Sequence, residues 1–487
     1  MIQVPAAGQA VCQPEFPRWP ALARSQRAIK YPFDTLRDAW RRELIDVARD
    51  FTAQLGLPVP EIPEGAPLLL SGHQPYFYHP GVLFKCRLLA RAAQEGMAAI
   101  NINVDTDVCE GFPAKLPTYE DRRHHTKILR VAPRALKRFY VDVAADPEAL
   151  AAFAEVADAS VRDLPERMFD HGPVFLRDSL AAGLPENLAH AMVVIRRRYA
   201  GGWTGEVLEA PLSELCRTQG YFDFAFGLLA RADEFARMFN GALERYRAEH
   251  KLRYPANPFP NLGIFATGVE TLFWAVKGET RKTLSVRVED GAVWLVEDGI
   301  AARDGAALRD YCESGGLRLW PKAVALSLMH RLYLSDLFIH GIGGAKYDRI
   351  TDEVIREFFG IEPPPFVTAS ATLAHEGLAD PSASLMELKQ TRREADFHPE
   401  RYFENPPEGL VQEKLGLLER IRIPGVDKKS LGKELARVNG ELNALLAPFK
   451  AELDEKIQHA EREMERFQAL GDRELAYFLF PPDALPK

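Results

Sequence analysis

The strongest constraint on the fold is a strand-helix-strand pattern between residues 66 and 105. The run APLLL (66–70) is short and apolar, VLFKCRLLARAA (82–93) has apolar residues at helical spacing, and MAAININVD (97–105) is a second apolar run. A strand, a helix and a strand within about 40 residues form a βαβ unit, whose two strands are parallel. The sequence therefore predicts an α/β protein with a parallel sheet in its core.

The rest of the chain adds other elements to this core. Residues 140–330 are mostly helical in pattern, but three short strand patterns at 265–297 predict a small β insertion. Apolar residues between 431 and 470 recur at three- and four-residue steps, which is typical of a coiled coil, and Pro448 should interrupt it. We predict three parts: an N-terminal extension (1–66), a core with these insertions (67–375) and a C-terminal α-helical coiled-coil arm (376–487).

Composition limits the class of protein. The net charge of −8 argues against a general nucleic-acid or membrane-surface binder, because such proteins usually carry net positive charge. The five cysteines form no C-x-x-C pair, which predicts reduced thiols, and the first residues lack the basic and apolar regions of a signal peptide. We expect a cytoplasmic protein with a small-molecule substrate and with no nucleic-acid or membrane partner.

A polar loop, SGHQPYFYHPG (71–81), joins the first predicted strand to the helix. Such a loop lies at the carboxyl edge of a parallel sheet, where ligands bind in open α/β folds, and a helix N-terminus favours anions. We predict that His73 and His79 are catalytic and stabilise phosphate charge. The alternative is a proline-stiffened turn in which the aromatics pack and the histidines bond to the backbone. The predicted cofactor-binding residues here are Gly72, Gln74, Gly81 and Lys85.

An acidic pair follows the second predicted strand, in NVDTDV (103–108). Because side chains alternate along a strand, Asp105 and Asp107 are predicted to face the same way, beside the first loop. Paired carboxylates bind Mg²⁺, orient an amine or act as a general base, so we predict that both are catalytic. The alternative is a solvated strand end.

A glycine-rich segment, FIHGIGGAKYD (338–348), is the second strong candidate. An apolar run meets three glycines and a lysine before a helix that Asp348 is predicted to cap. Glycines before a helix let backbone N–H groups face a phosphate, and a lysine adds charge, although the spacing is neither Walker A nor G-x-G-x-x-G. The alternative is a simple chain reversal. The predicted cofactor-binding residues are His340, Gly341, Gly343, Gly344 and Lys346.

Together the two loops resemble motifs of the cysteine-adding enzymes of bacillithiol biosynthesis. That family has the motif T-G-Q-Q-x-G-x-x-x-G-P-x-Y-x-x-x-K, which SGHQPYFYHPGVLFK matches at Gly72 and Gln74, with Lys85 near the family lysine. NVDTDV is similar to the family's acidic E-D-H-D cluster, and HGIGGAKYD is similar to V-G-G-P-x-E-x-x-Y. The chain departs from the family at His73, which stands in place of the first glutamine, and in the acidic cluster, which lacks a histidine.

The resemblance implies a Rossmann-like core of nucleotidyltransferase type with a helical coiled-coil arm. It also implies an adenine nucleotide, ATP or ADP, and a ligase-type reaction that joins or activates a small acid and an amine; Mg²⁺ is a further candidate ligand. We expect a homodimer through the coiled coil. Two alternatives stay open at this point: a non-catalytic scaffold on a degenerate enzyme core, and a metal-dependent hydrolase that uses Asp105 and Asp107.

Overall fold

The computed structural model describes residues 2–133, 138–296, 299–373 and 377–486. In chain order, the strands are β1 (Gln9–Gln13), β2 (Leu68–His73), β3 (Ala98–Asn103), β4 (Pro113–Glu120), β5 (Arg123–Arg130), β6 (Val207–Pro211), β7 (Ile264–Phe265), β8 (Gly268–Lys277), β9 (Thr280–Glu289), β10 (Ala292–Leu295), β11 (Ile300–Ala302), β12 (Arg318–Pro321), β13 (Leu337–His340) and β14 (Phe366–Thr372).

The α-helices, again in chain order, are α1 (Trp19–Ala28), α2 (Asp34–Gln54), α3 (Pro80–Gln94), α4 (Pro147–Arg162), α5 (His171–Ala181), α6 (Leu188–Ala200), α7 (Leu212–Leu215), α8 (Gln219–Leu229), α9 (Ala232–Glu249), α10 (Gly305–Ser314), α11 (Ala323–Leu328), α12 (Ile342–Val354), α13 (Ser382–Phe397), α14 (Glu408–Ile421), α15 (Lys428–Leu445) and α16 (Ala447–Leu470). A π-helix (Met329–Leu334) follows α11 directly.

The chain divides into two compact units. The first contains residues 1–116, 127–374 and 473–487, and the second contains residues 117–126 and 375–472. The arm predicted from the sequence runs to residue 487, whereas residues from 473 onwards belong to the first unit. Residues 475–480 of this terminal segment are buried, and Leu475, Tyr477 and Phe478 are at most 1% exposed.

A six-stranded sheet in the order β1-β14-β13-β2-β3-β6 forms the centre of the first unit. Only β1 pairs antiparallel in this sheet; the other neighbouring strands are parallel. The predicted mixed α/β architecture with a parallel sheet is therefore confirmed. From β2 the chain first adds β3 and then β6 on one side, and it later adds β13 and β14 on the other side of β2. The order in which strands are added therefore reverses between β2 and β13. Ligands bind in open α/β sheets at the carboxyl ends of the strands beside such a reversal.

Apolar sequence explains why this sheet is buried. All six residues of β3 are buried, and the first four of β2 are buried as well. Helix α3 packs against β3 and β14, and α2 packs against β6. Inside the sheet, the Glu209 carboxylate accepts hydrogen bonds from Asn101 and from Arg196, at 3.0 and 2.7 Å. Burial alone would raise the pKa of Glu209, but Arg196 and Arg197 outweigh it, so the pKa lies below its ordinary value.

The predicted β insertion is confirmed as an antiparallel sheet in the order β11-β10-β9-β8-β12, with β7 on β8. The segments TLFWAV and TLSVRV lie in β8 and β9, where Leu272, Phe273, Val276, Leu284 and Val286 are buried. Helices α8, α9 and α10 surround this sheet and extend the apolar core of the first unit. The insertion matters for function because β8 and β9 supply walls of a cavity described below.

The second unit is helical apart from residues 117–126, which belong to β4, β5 and the turn between them. Helix α14 packs on α15, α13 packs on α16, and a small core contains Leu417, Leu431, Val438 and Leu442. The predicted interruption at Pro448 is confirmed, since α15 ends at Leu445 and α16 begins at Ala447 with this proline in its first turn. A proline there loses no helical hydrogen bond. Within the described residues, no helix is long and apolar enough to cross a membrane.

Candidate functional site

The carboxyl ends of β2 and β13 open into a cavity of about 530 Å³, which we call the switch-point cavity. Strands β2 and β13 are parallel neighbours, with Leu69 opposite Leu337, so the loops that follow them lie side by side. The two loops predicted from the sequence are therefore brought together, although they are far apart in the chain. The predicted residues that line the cavity are Gly72, His73, His79, Gly81, Lys85, His340, Gly341, Gly343, Gly344 and Lys346.

Helix α3 begins at this cavity with His79 as its N-cap. The Nδ1 atom of His79 accepts a hydrogen bond from the Gly81 backbone N–H at 3.1 Å, so in the neutral ring the proton is on Nε2. That Nε2 atom lies 3.7 Å from the Glu474 carboxylate. His79 therefore orders the start of the helix and also presents an N–H group to the cavity wall.

Gly81 has a packing role rather than the predicted role of admitting a ligand. A Cβ atom at this position would lie 2.6 Å from Ser370 Oγ and 2.7 Å from the Ala371 carbonyl oxygen. Real Cβ atoms do not approach other atoms so closely, so the glycine lets α3 lie directly on β14. Gly72 is also enclosed, since its Cβ would lie 3.2 Å from the Ile102 carbonyl oxygen.

Lys85 and His73 occupy the inner part of the cavity. The Lys85 ammonium donates to the Gly72 carbonyl at 2.8 Å, and burial lowers the pKa of Lys85 to about 8. Burial, followed by the charge of Lys85, lowers the pKa of His73 to about 3. At neutral pH His73 is therefore an uncharged hydrogen-bonding group. The predicted stabilisation of phosphate charge by His73 would therefore depend on a neutral N–H donor and not on a positive ring.

Helix α12 also begins at the cavity, six residues earlier than the predicted cap at Asp348. Its N-cap is Gly341, which has no side chain to bond the first amides, and Gly343 and Gly344 lie in the first turn. The first amides of a helix lack intrahelical partners and carry the positive end of its dipole. The exposed side chain of Lys346 lies one turn further along and also lines the cavity. This arrangement favours an anion.

Asp348 is a buried ion-pair partner and not a helix cap. Its Oδ2 atom lies 2.9 Å from His340 Nε2 and 2.6 Å from an Arg331 guanidinium nitrogen. Burial would raise the pKa of this carboxyl, but His340 and Arg331 together hold it well below the ordinary range. Because the Asp348 carboxylate can only accept this hydrogen bond, the Nε2 atom of His340 is the donor and carries a proton. Gly344 packs against the Nδ1 atom of His340, where a Cβ would lie 2.8 Å away.

The structure adds cavity residues that the sequence reasoning missed. His330 is 2% exposed, stacks on Phe338, and its Nε2 atom has no hydrogen-bond partner among the described residues. Burial and the charge of His340 lower the pKa of His330 to about 3, so its ring is neutral. Arg473 donates to Ser370 Oγ at 3.1 Å and also lines the cavity. The only sequence signal for Arg473 was its place two residues before the apolar run LAYFLF (475–480).

Asp105 and Asp107 do not form the acidic pair that the sequence predicts. Strand β3 ends at Asn103, so the alternation of side chains does not extend to Asp105 and Asp107. Asp105 is buried, accepts from the Ser213 backbone N–H at 2.8 Å, and burial raises its pKa to about 6. Asp107 instead forms an ion pair with Arg281 at 3.1 Å. Neither carboxylate lines the switch-point cavity, so neither is in place to act on a ligand there.

Asp107 and Gln74 line a different cavity, also of about 530 Å³, which we call the Trp274 cavity. The Gln74 amide donates to Asp107 at 3.1 Å. His73 and Gln74 are neighbours in the chain, yet they face two separate cavities because successive side chains of an extended backbone point in opposite directions. The predicted site residues are therefore divided between two sites of the first unit.

The charge of the switch-point cavity fits a phosphate-bearing ligand. Lys85, Lys346 and Arg473 contribute positive charge to its lining, and Glu474 contributes negative charge. Two helix N-termini add their partial positive charges. Among the described residues, no group of three His, Cys, Asp or Glu side chains is arranged to hold a metal ion.

Comparison with known proteins adds no assignment, since no protein-family model and no curated protein matches this chain.

Proposed function

We propose that the protein is a ligase-type enzyme that binds an adenine nucleotide, ATP or ADP, in the switch-point cavity. One observation carries this proposal: the N-termini of α3 and α12 follow adjacent parallel strands and meet at one cavity that Lys85, Lys346 and Arg473 line. Backbone amides at a helix N-terminus and lysine or arginine side chains are the usual partners of phosphate groups in proteins.

The lining residues divide into two chemical groups. The first-turn amides of Gly343 and Gly344, with Lys85, Lys346 and Arg473, are the proposed phosphate ligands. His73 and His330 are neutral because they are buried, so they are suited to hydrogen bonds with uncharged groups of the nucleoside. The nucleotide would supply an activated phosphoryl or adenylyl group to the acid substrate. The proposed task of the protein residues is to hold that group in position and to stabilise the charge that develops.

Two features support a relation to the cysteine-adding enzymes of bacillithiol biosynthesis. The parallel strands have the order β6-β3-β2-β13-β14, which corresponds to the order 3-2-1-4-5 of Rossmann-like folds. The two loops that carry the resemblance line one cavity. We propose a Rossmann-like core related to that family, with a substrate that differs from the family's because His73 replaces a glutamine.

Thermal unfolding tests the nucleotide proposal. ATP, ADP or AMP should raise the melting temperature, and stabilisation should reach about 2.7 kcal/mol when the nucleotide is at a hundred times its Kd. Lys346→Ala should weaken this effect, because the exposed side chain can be removed without disturbing the core. Lys277→Ala, at an exposed lysine outside the cavity lining, is the control and should behave as the unmodified chain does. No shift with any of the nucleotides, or equal effects of both variants, would contradict the proposal.

A homodimer through the second unit is a separate proposal. It is supported by two large apolar side chains of α13, Met386 and Phe397, which are 69% and 62% exposed. Light scattering on the full chain should show a dimer, and the double variant Met386→Ser with Phe397→Ser should be a monomer. Truncation after residue 375 is unsuitable, because residues 473–487 belong to the first unit. If the unmodified chain is a monomer, the homodimer proposal is wrong, and so is the scaffold alternative that depends on it.

The positions of Asp105 and Asp107 do not support the hydrolase alternative. It required Asp105 and Asp107 to act together on one metal ion, and these carboxylates bond to different partners, Ser213 and Arg281.

A further inference from the structure

The Trp274 cavity contains a cation without an ion-pair partner. The Lys322 ammonium donates to the Thr283 hydroxyl at 2.9 Å and lies 4.4 Å from the centre of the Trp274 ring. Among the residues that the structure describes, no carboxylate lies within ion-pair distance of Lys322. Burial lowers the pKa of Lys322, and the more distant Glu270 carboxylate opposes this shift only in part. The described contacts of this partly buried ammonium are a hydroxyl and an aromatic face, without the paired carboxylate that such groups usually have.

The second cation of this cavity is already paired. Arg281 lies 4.4 Å from the Trp274 ring centre and binds Asp107 at 3.1 Å. Glu270 is also in the wall, where its carboxylate accepts from the Gly263 backbone N–H at 2.8 Å. The charged residues of the lining are thus Arg281, Lys322, Asp107 and Glu270. Arg281 and Asp107 neutralise each other, whereas Glu270 lies beyond ion-pair distance of Lys322. One unpaired ammonium among the described residues of this lining suits a single negative charge better than the two charges of a phosphate.

Apolar side chains form much of the remaining wall. They accommodate the carbon skeleton of a small molecule while its charged end reaches Lys322. These residues are Val104, Leu212, Phe239, Phe259, Leu262, Leu272, Pro321, Val324 and Leu326.

The two cavities of the first unit share part of their lining. Val104, Ala323 and Leu326 belong to both, and the loop that follows β2 places His73 in one and Gln74 in the other. A molecule in the Trp274 cavity would therefore lie beside a molecule in the switch-point cavity. A reaction that joins or activates an acid requires such proximity.

We propose that the Trp274 cavity binds a small monocarboxylate with an apolar skeleton, and that Lys322 is its carboxylate-binding residue. This inference assigns the acid substrate of the proposed ligase to a site next to the nucleotide, so its catalytic meaning rests on the proposed function. The binding site itself does not depend on the nucleotide. Burial holds the pKa of Lys322 near 8, so the ammonium is charged at neutral pH but is also available to amine reagents.

Protection from chemical modification tests the site directly. The full chain is acetylated with a limiting amount of an N-hydroxysuccinimide ester at neutral pH, and each lysine is followed by peptide mass spectrometry. Sodium butyrate at ten times its Kd should slow acetylation of Lys322 about tenfold, since only the unliganded amine reacts. Butyramide has the same shape without the charge and should not protect, and Lys277 should react equally in all samples.

A second arm of the same experiment separates the two proposals. ATP should protect Lys346 in the switch-point cavity without protecting Lys322. Protection of Lys322 by butyrate without protection of Lys346 by ATP would overturn the proposed nucleotide function and leave the carboxylate site standing. The reverse result would overturn the carboxylate site alone.

Three further outcomes decide the inference. Equal protection of Lys322 by butyrate and butyramide, or by inorganic phosphate and butyrate, would overturn it. Lys322→Met keeps much of the side-chain volume over Trp274 and should abolish the butyrate-induced rise in melting temperature while it preserves the ATP-induced rise. A retained butyrate effect in this variant would also overturn the inference. If the variant does not fold, the labelling of the unmodified chain still decides the question.

Discussion

His340 and Asp348 connect the end of β13 to the interior of α12, with His340 Nε2 only 2.9 Å from Asp348 Oδ2. Arg331, from the π-helix before β13, binds the same carboxylate oxygen at 2.6 Å. A strand, a helix and a π-helix thus share one buried acceptor. The pairing holds the start of α12 at the switch-point cavity and makes the Nε2 atom of His340 a hydrogen-bond donor to Asp348.

Removal of the Asp348 charge should destabilise the protein. Asp348→Asn leaves Arg331 buried with less counter-charge, which should cost about 3 kcal/mol or more in chemical denaturation. The folded pKa of Asp348 lies below its unfolded value, so its contribution is complete above about pH 4 and is lost as the pH falls. The variant should therefore show a weaker loss of stability in acid. Asp352→Asn, at a carboxylate that is 24% exposed and also pairs with Arg331, should cost less. Equal effects of the two variants would show that burial of Asp348 is not the cause.

Gly81 should tolerate no side chain. Gly81→Ala places a Cβ within 2.7 Å of Ser370 Oγ and the Ala371 carbonyl, so α3 must move away from β14, at a cost of about 1–3 kcal/mol. Gly227→Ala is the matched control, because Gly227 lies in α8 and its Cβ would meet nothing within 4 Å. That change should stabilise by up to about 1 kcal/mol. Urea unfolding measures both, and a neutral Gly81→Ala would refute the close packing.

Nucleotide affinity should decrease as the pH rises through about 8. The folded pKa of Lys85 is about 8, so the ammonium loses its charge, and its attraction for phosphate, above that pH. Titration calorimetry between pH 7 and 9 should show about a tenfold loss, which is typical of one charged hydrogen bond. Lys85→Met should bind more weakly at pH 7 and should lose this dependence. A pH-independent affinity in the unmodified chain would mean that Lys85 does not contact the ligand.

Asp105 should prove structural. Its folded pKa of about 6 exceeds the unfolded value, so the folded state binds more protons and stability falls by about 3 kcal/mol in total as the pH rises from about 3 to about 7. Asp105→Asn can still accept from the Ser213 N–H and should flatten this dependence without lowering stability at pH 7. It should also leave nucleotide binding unchanged, because Asp105 does not line the switch-point cavity. Loss of nucleotide binding in a folded Asp105→Asn protein would restore the role predicted from the sequence.

The C-terminal segment should be essential for the first unit. Phe478 is fully buried and its ring centre lies 4.9 Å from that of Phe77, so Phe478→Ala should cost about 3–5 kcal/mol. Phe265→Ala, at a ring that is 61% exposed, provides the comparison and should change stability by less than about 1 kcal/mol. Thermal unfolding of both variants measures the difference. A small effect of Phe478→Ala would mean that this segment does not stabilise the first unit.

The sequence by itself determined the local elements and their order. The βαβ pattern of β2, α3 and β3, the insertion strands β8 and β9 and the helix break at Pro448 all follow from hydrophobic periodicity and proline chemistry, which act over a few residues. The two loops at the ends of β2 and β13 were also recognisable, because glycine, histidine and lysine residues at the start of a helix indicate an anion-binding site from a few neighbouring residues.

Only the tertiary structure decided which side chains share a site. Parallel pairing of β2 with β13 brings distant loops together, and the terminal segment adds Arg473 to the same cavity. The structure also places His73 and Gln74 in different cavities and separates Asp105 from Asp107. The physical reason is that side-chain direction beyond the last residue of a strand depends on contacts with distant segments, and local periodicity contains no information about those contacts.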